Sequence, residues 1–265
     1  MQQPAQMPLP SLDSDVSPVH YNYKLKLIGS TGGNVGMRLK LLFAVLPIAA
    51  ITVGGSFAQS GPPPGGPPGG IPGSPQALAM MARILAQPRP ILTIDRPQTA
   101  TRNEIVVTSL TFEPYGRIPV YNTGYGQSVS PEVSWSAGPA GTKSYYLIME
   151  DGTAGMNREG VLHWQLFNIP ADVHSIPEGG PVPAGASFGD NMSGQPAYSG
   201  PHAPVGGPPF HYHIQVFALD RVLDLPAGAS RDQLWAAVAG HVLASGQVVG
   251  EFQGPPVPTA TAGGQ

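Results

Sequence analysis

Three of the seven histidines in this 265-residue chain, His202, His211 and His213, fall within twelve residues, the first inside the Pro/Gly-rich loop that begins at Gly200 and the other two just after it. His211 and His213 are two apart in an alternating segment, so in a strand they point to the same side. His163 lies in a second apolar segment, and Asp151 ends a third. These residues open three kinds of chemistry. A His-x-His pair joined by a third histidine gives a zinc-type ligand set, here His163, His211 and His213. Imidazole N–H groups beside unpaired backbone N–H groups of a Gly/Pro loop form an anion pocket. A carboxylate beside an imidazole fixes its tautomer and favours its charged form, a role open to Asp151. The pattern alone does not choose among the three.

Other motifs carry less. Residues 185–189, Gly-Ala-Ser-Phe-Gly, match G-x-S-x-G, but a nucleophilic serine needs a strand before it and a helix after it. Pro-Val-Pro-Ala precedes Ser187 here and Asp-Asn-Met-Ser-Gly follows, so neither context is met. Glu150 and Asp151 are adjacent carboxylates, which in a strand point to opposite sides and do not share a site. Trp135, Trp164 and Trp235 read as core residues, with Trp164 facing the interior and its neighbour His163 facing the other way. No catalytic motif emerges, no cofactor is implied, and the chain does not read as an enzyme.

The elements that must position these residues are mainly β. Residues 104–112, 143–151, 161–169 and 210–220 are rich in β-branched and aromatic residues and bounded by Gly, Pro, Asn or Asp. In the last, His211, His213, Gln215, Phe217 and Leu219 share one face, and Tyr212, Ile214, Val216 and Ala218 share the other. Residues 143–151 are almost continuously apolar, which predicts a central strand. No strand–helix–strand rhythm appears, so antiparallel sheets are expected. Ser230 and Gln233 form a capping-box pattern that opens one late helix, with Leu234, Val238 and Val242 in register and Gly246 as its stop. A short strand from Gln247 follows it. Residues 76–87 predict a short N-terminal helix before Pro88, its methionines serving either the domain edge or a lipid surface.

Composition bounds the rest. Glycine (35) and proline (32) make up about a quarter of the chain, and are densest in a linker over residues 59–76 that leans to extended conformations. Residues 37–58 read as a secretory signal peptide: Arg38 and Lys40, a short apolar run, then Ser56-Phe57-Ala58. This places the start of translation at Met37, with residues 1–36 an upstream extension, and predicts a periplasmic or secreted protein. The domain itself is expected over 77–265, with a flexible tail from about 254. With no cysteine, no disulfide supports the fold. From Gln59 onward the chain keeps nine basic and fourteen acidic residues and no basic run, so nucleic acid is not an expected partner.

Taken in order, five blocks resemble the phosphatidylethanolamine-binding protein family, which includes Raf kinase inhibitor protein. They are residues 118–135 (Ile-Pro through Ser-Pro-Glu-Val-Ser-Trp), 143–155 at the place of an Asp-Pro-Asp-Ala-Pro segment, 163–179 (His-Trp through Asn-Ile-Pro), 200–220, and 228–252. The resemblance implies an all-β, mainly two-sheet antiparallel sandwich with one late helix and a small pocket for phosphate-type anions or phospholipid headgroups. Residue by residue it implies Asp151, His163, Gly200, Pro204 and His211 as pocket residues, with His213 in place of a pocket tyrosine. Thr153 stands where the pattern has a second aspartate, and Ala203 where it has a first proline. The resemblance also allows a protein target, such as an extracytoplasmic protease or a kinase, and peripheral contact with a membrane.

Overall fold

A computed structural model of the chain describes residues 74–257. The signal-peptide segment, the upstream extension, most of the Pro/Gly linker and the end of the tail lie outside the described residues.

Two antiparallel sheets face each other, as the resemblance implied. The larger holds five strands in the order β6-β4-β3-β7-β8, and the smaller three in the order β1-β2-β5. Their ranges are β1 Val107–Thr108, β2 Val133–Trp135, β3 Ser144–Met156, β4 Glu159–Pro170, β5 Ser175–Ile176, β6 Ser187–Phe188, β7 Phe210–Leu219 and β8 Val242–Phe252. Helix α1 spans Pro75–Leu85 and α2 spans Arg231–Val238.

The middle strand, β3, is buried on both faces from Ser144 to Gly152, which explains its continuous apolar run. One face joins Tyr145, Leu147, Met149, Trp164, Tyr212, Ile214 and Val216 to Val107, Val133, Trp135 and Ile176 of the smaller sheet. The other face packs Tyr146, Ile148, Phe167, Phe217 and Leu219 against Leu223, Leu234 and Val238, under α2. All three tryptophans are buried. The two faces of β7 are those its alternation predicts.

Three elements differ from the sequence expectation. The segment 104–112 yields only a two-residue strand, because its main-chain groups bond irregularly, Ile105 N–H to the Ser245 carbonyl and Leu110 N–H to the Glu132 carboxylate. Helix α2 opens with the capping box at Ser230 and Gln233 but stops at Val238, where Gly240 takes φ +78°. Val242 and Gly246 therefore belong to β8, whose long pairing with β7 outweighs the helical period of Leu234, Val238 and Val242. Beyond Asp151, β3 continues into a hairpin with β4 that turns at Asn157 and Arg158, both at positive φ (53° and 63°), the backbone of a two-residue turn matched to strand twist.

Candidate functional site

The chemistry gathers at one end of the larger sheet. Asp151 lies beside Tyr212 in the β3–β7 register and is 3% exposed. Its Oδ1 accepts the backbone N–H groups of Thr153 (2.7 Å) and Ala154 (3.1 Å), fixing the bend that follows the carboxylate. Burial outweighs those two bonds and pushes the carboxyl up to about 7.

His163 reaches the same place through a bulge. Met149 pairs with Trp164 and Glu150 with Leu162, so β4 advances two residues against one on β3. The bulge turns both His163 and Trp164 inward. His163 meets Tyr212 edge-on at 5.2 Å, and Trp164 meets Tyr198 at 5.6 Å. The expectation that the two neighbours face opposite ways is corrected by this irregularity. His163 Nδ1 lies 2.7 Å from the Ser199 carbonyl, which can only accept, so Nδ1 carries the proton. Burial lowers this imidazole to about 4, the Ser199 bond opposes that, and His202 adds to it. The neutral ring presents Nε2 as a lone pair.

Three tyrosines complete the cluster. Tyr212 is 1% exposed, and burial, with Asp151 nearby, raises its hydroxyl well above the usual phenol range. That hydroxyl has no protein hydrogen-bond partner among the described residues. Tyr198 OH donates to the Asn122 carbonyl (2.7 Å), and Tyr125 OH to the Ala203 carbonyl (2.8 Å). His202 stands edge-on to Tyr125 at 4.3 Å. Gly200 belongs to the wall: its N–H donates to Ser128 Oγ (2.8 Å), and a Cβ there would come within 2.6 Å of the Thr123 backbone. Pro204 is half-buried in the same loop, its carbonyl accepting from Gly207 N–H.

His211 and His213 are not part of this cluster. Alternation along β7 turns them to the face opposite Tyr212. There His211 Nε2 pairs with Glu251 (3.2 Å), and its backbone N–H donates to Thr153 Oγ1. His213 Nδ1 lies 3.0 Å from Gln247 Oε1, and burial lowers its ring below the usual imidazole range. The zinc-type set of His163, His211 and His213 is therefore split between two faces, and among the described residues no group of three or more His, Asp or Glu side chains is placed to hold a metal. The tyrosine expected at position 213 has a counterpart one residue earlier: Tyr212 faces inward, in register with Asp151 and against His163. Asp151 orients no imidazole; the Ser199 carbonyl does that for His163. Glu150, as its alternation predicts, faces away from Asp151, towards Arg231 (3.3 Å). Ser187 sits in β6 with no helix after it.

The sequence reading missed Tyr212, Tyr125 and Tyr198. The signal for Tyr212 was available: it shares the inward face of β7, and Asp151 shares the inward face of β3.

Comparison with known proteins agrees with this architecture. Residues 108–253 match the family model described as phosphatidylethanolamine-binding protein. A UPF0098 protein of Methanothermobacter thermautotrophicus is 38% identical over 146 residues, covering 54% of this chain and 94% of the relative. A UPF0098 protein of Mycobacterium tuberculosis is 28% identical over 216 residues, covering 82% and 94%. Among solved structures, a putative phosphatidylethanolamine-binding protein homolog of Chlamydia trachomatis superposes with a TM-score of 0.53 at 29% identity, over 57% of this chain and 98% of the other. E. coli YbcL, described as a new member of the mammalian family, gives the same TM-score and coverage at 26% identity. The chain belongs to the phosphatidylethanolamine-binding protein family.

Proposed function

We propose that this is an exported ligand-binding protein whose pocket, formed by Asp151, His163 and Tyr212 beside the Gly200–Pro204 loop, takes a phosphate-type anion, free or on a lipid headgroup. The observation that carries this reading is the polar inventory of the cluster. His163 Nε2 offers a lone pair, Asp151 is about half protonated near pH 7, and the Tyr212 hydroxyl is a donor without a protein partner. Among the described residues, no lysine or arginine hydrogen-bonds or pairs with any of these three groups. The pocket therefore suits an anion that brings its own proton. A singly protonated phosphomonoester donates its O–H to His163 Nε2 and accepts from Tyr212 OH and the neutral Asp151 carboxyl. The second proton of such an ester leaves near pH 6, so binding weakens as pH rises through about 6 to 7.

Calorimetric titration with phosphorylethanolamine and with inorganic phosphate between pH 5 and 8 tests this, alongside the NMR signal of the His163 ring. Affinity falling with pH and a His163 shift at millimolar ligand are expected. No His163 perturbation at any pH, or tightest binding at pH 8, overturns the reading. The pattern of Met37–Ala58 supports export, and mass analysis of the protein recovered outside the cytoplasm should find an N-terminus at or near Gln59.

A further inference from the structure

We infer that α1 and the tip of the β3–β4 hairpin form a docking surface for an anionic lipid bilayer. Helix α1, Pro-Gln-Ala-Leu-Ala-Met-Met-Ala-Arg-Ile-Leu, has only Gln76 and Arg83 as polar residues. It uses one stripe to attach to the domain: Met81 and Ile84 pack on the core between the sheets. The rest of the helix is also mostly apolar and faces solvent: Leu78 (58% exposed) and Leu85 (45%) lie on one flank of that stripe, Met80 (40%) on the other, with exposed Ala79 and Ala82 between them. The hairpin tip adds Met156, 81% exposed. The chain leaving α1 runs to that tip, where Ile91 N–H donates to the Arg158 carbonyl (2.8 Å).

Charge selects the occupant. Arg83, Arg89 and Arg158 are exposed on this surface, and none makes an ion pair among the described residues. No Asp or Glu occurs between Gln59 and Ile94. In a protein of net charge −3, three of the nine basic residues after Gln59 lie in α1, in the segment that leaves it and at the hairpin tip that this segment joins. An amphipathic helix with bare apolar side chains and flanking cations suits the interface of an anionic leaflet. A second copy of the chain would bring like charges together on the same patch. The surface also adjoins the candidate pocket: a Cβ at Gly207, in the loop that follows Pro204, would come within 2.7 Å of Met81 Cε.

The absence of cysteine in the chain makes the test direct. Met80→Cys in the full chain, labelled with a polarity-sensitive fluorophore, is titrated with phosphatidylcholine vesicles with or without a quarter of phosphatidylglycerol. Val222→Cys is the control probe, 59% exposed just beyond the end of β7 remote from Tyr212. A blue shift at position 80 with anionic vesicles, at least fivefold weaker in 0.5 M salt and in the R83Q/R89Q/R158Q variant, and absent at position 222, is expected. Excess phosphorylethanolamine leaves that shift in place, because the helix and not the pocket holds the bilayer, so the two readings fail separately. The inference is overturned by no shift at position 80, by a shift equal on neutral vesicles and indifferent to the arginines, or by one that follows protein concentration without vesicles.

Discussion

The rings of His163 and Tyr212 meet nearly at right angles, 79° apart, although they come from strands β4 and β7, which flank β3 on either side. The contact is made over Asp151, the β3 residue in register with Tyr212. It depends on the bulge that turns His163 inward, and it defines which residues can touch one ligand.

Substitutions on the two faces of β7 should therefore separate. Tyr212→Phe keeps the ring packed on His163 and removes one donor. It should weaken phosphorylethanolamine binding about tenfold, the typical value of one hydrogen bond. His163→Gln should weaken it at least as much. His213→Ala and His211→Ala, on the opposite face, should leave affinity within about twofold. Calorimetry at pH 6 checks all four. A loss at His213 equal to that at Tyr212 would place the ligand on the other side of the sheet.

Acid stability follows from two opposed shifts. Asp151 is raised from 3.8 to about 7 in the fold, so its contribution is fully present below pH 4 and lost as pH rises through 7. His163 is lowered from 6.5 to about 4, so its contribution is present above pH 6.5 and lost as pH falls through 4. Between about pH 4 and 6.5 the slopes oppose each other. Asp151→Asn, which can still accept from Thr153 and Ala154, removes one of them. Its stability should drop more steeply than that of the parent from pH 6.5 to 4, and above pH 7 it should be the more stable protein. His163→Gln should show the reverse slope over the same window. Urea unfolding at pH 4, 5, 6, 7 and 8 measures both.

Much of this arrangement could be read from residue order, and the part that could not has a physical cause. The alternation of residues 210–220 gave both faces of β7 correctly, because a period of two survives any sheet partner. The capping box at Ser230 and Gln233 marked the start of α2, because its bonds are local. The end of α2 was not legible, since Val238 and Val242 fit a helix until the pairing with β7 claims the second. The direction of His163 was hidden for a similar reason: a bulge is set by cross-strand register, which no single segment contains. The grouping of His211 and His213 with His163 failed for want of that register, although the inward faces of β3 and β7 already pointed to Asp151 and Tyr212.

The glycine at position 200 should be irreplaceable for a steric reason rather than a torsional one. Its Cβ would lie 2.6 Å from the Thr123 backbone carbon, 2.8 Å from the Asn122 carbonyl oxygen and 2.8 Å from Gly124 N, none of which can swing aside like a side-chain end. Gly200→Ala should displace the 200–204 loop, break the N–H bond to Ser128 Oγ, and cost roughly 1–3 kcal/mol in urea unfolding. Ser128→Ala removes the same bond without the clash and should cost about 1 kcal/mol. Similar losses from the two variants would mean that the loop has room to give.

Glu150 carries the opposite face of β3 as Asp151 carries the inner one. It is fully buried, and its carboxylate accepts from Thr93 N–H (2.8 Å) and Gln215 Nε2 (2.9 Å) and pairs with Arg231 (3.3 Å). Arg231 also pairs with Glu159 and lies over Trp235, 4.8 Å from the ring centroid. One carboxylate thus ties β3, β7, the turn at Thr93 and the start of α2. Glu150→Ala strands a buried donor at Thr93 and another at Gln215, and should destabilise the domain by about 3–5 kcal/mol. Glu150→Gln keeps an acceptor but loses the charge, and should cost less. Because Glu150 faces away from Tyr212, the folded fraction of either variant should bind phosphorylethanolamine with parental affinity. Urea unfolding and calorimetry on the same preparations check the two halves of this prediction. A binding defect in fully folded Glu150→Gln would show that the outer network positions the pocket.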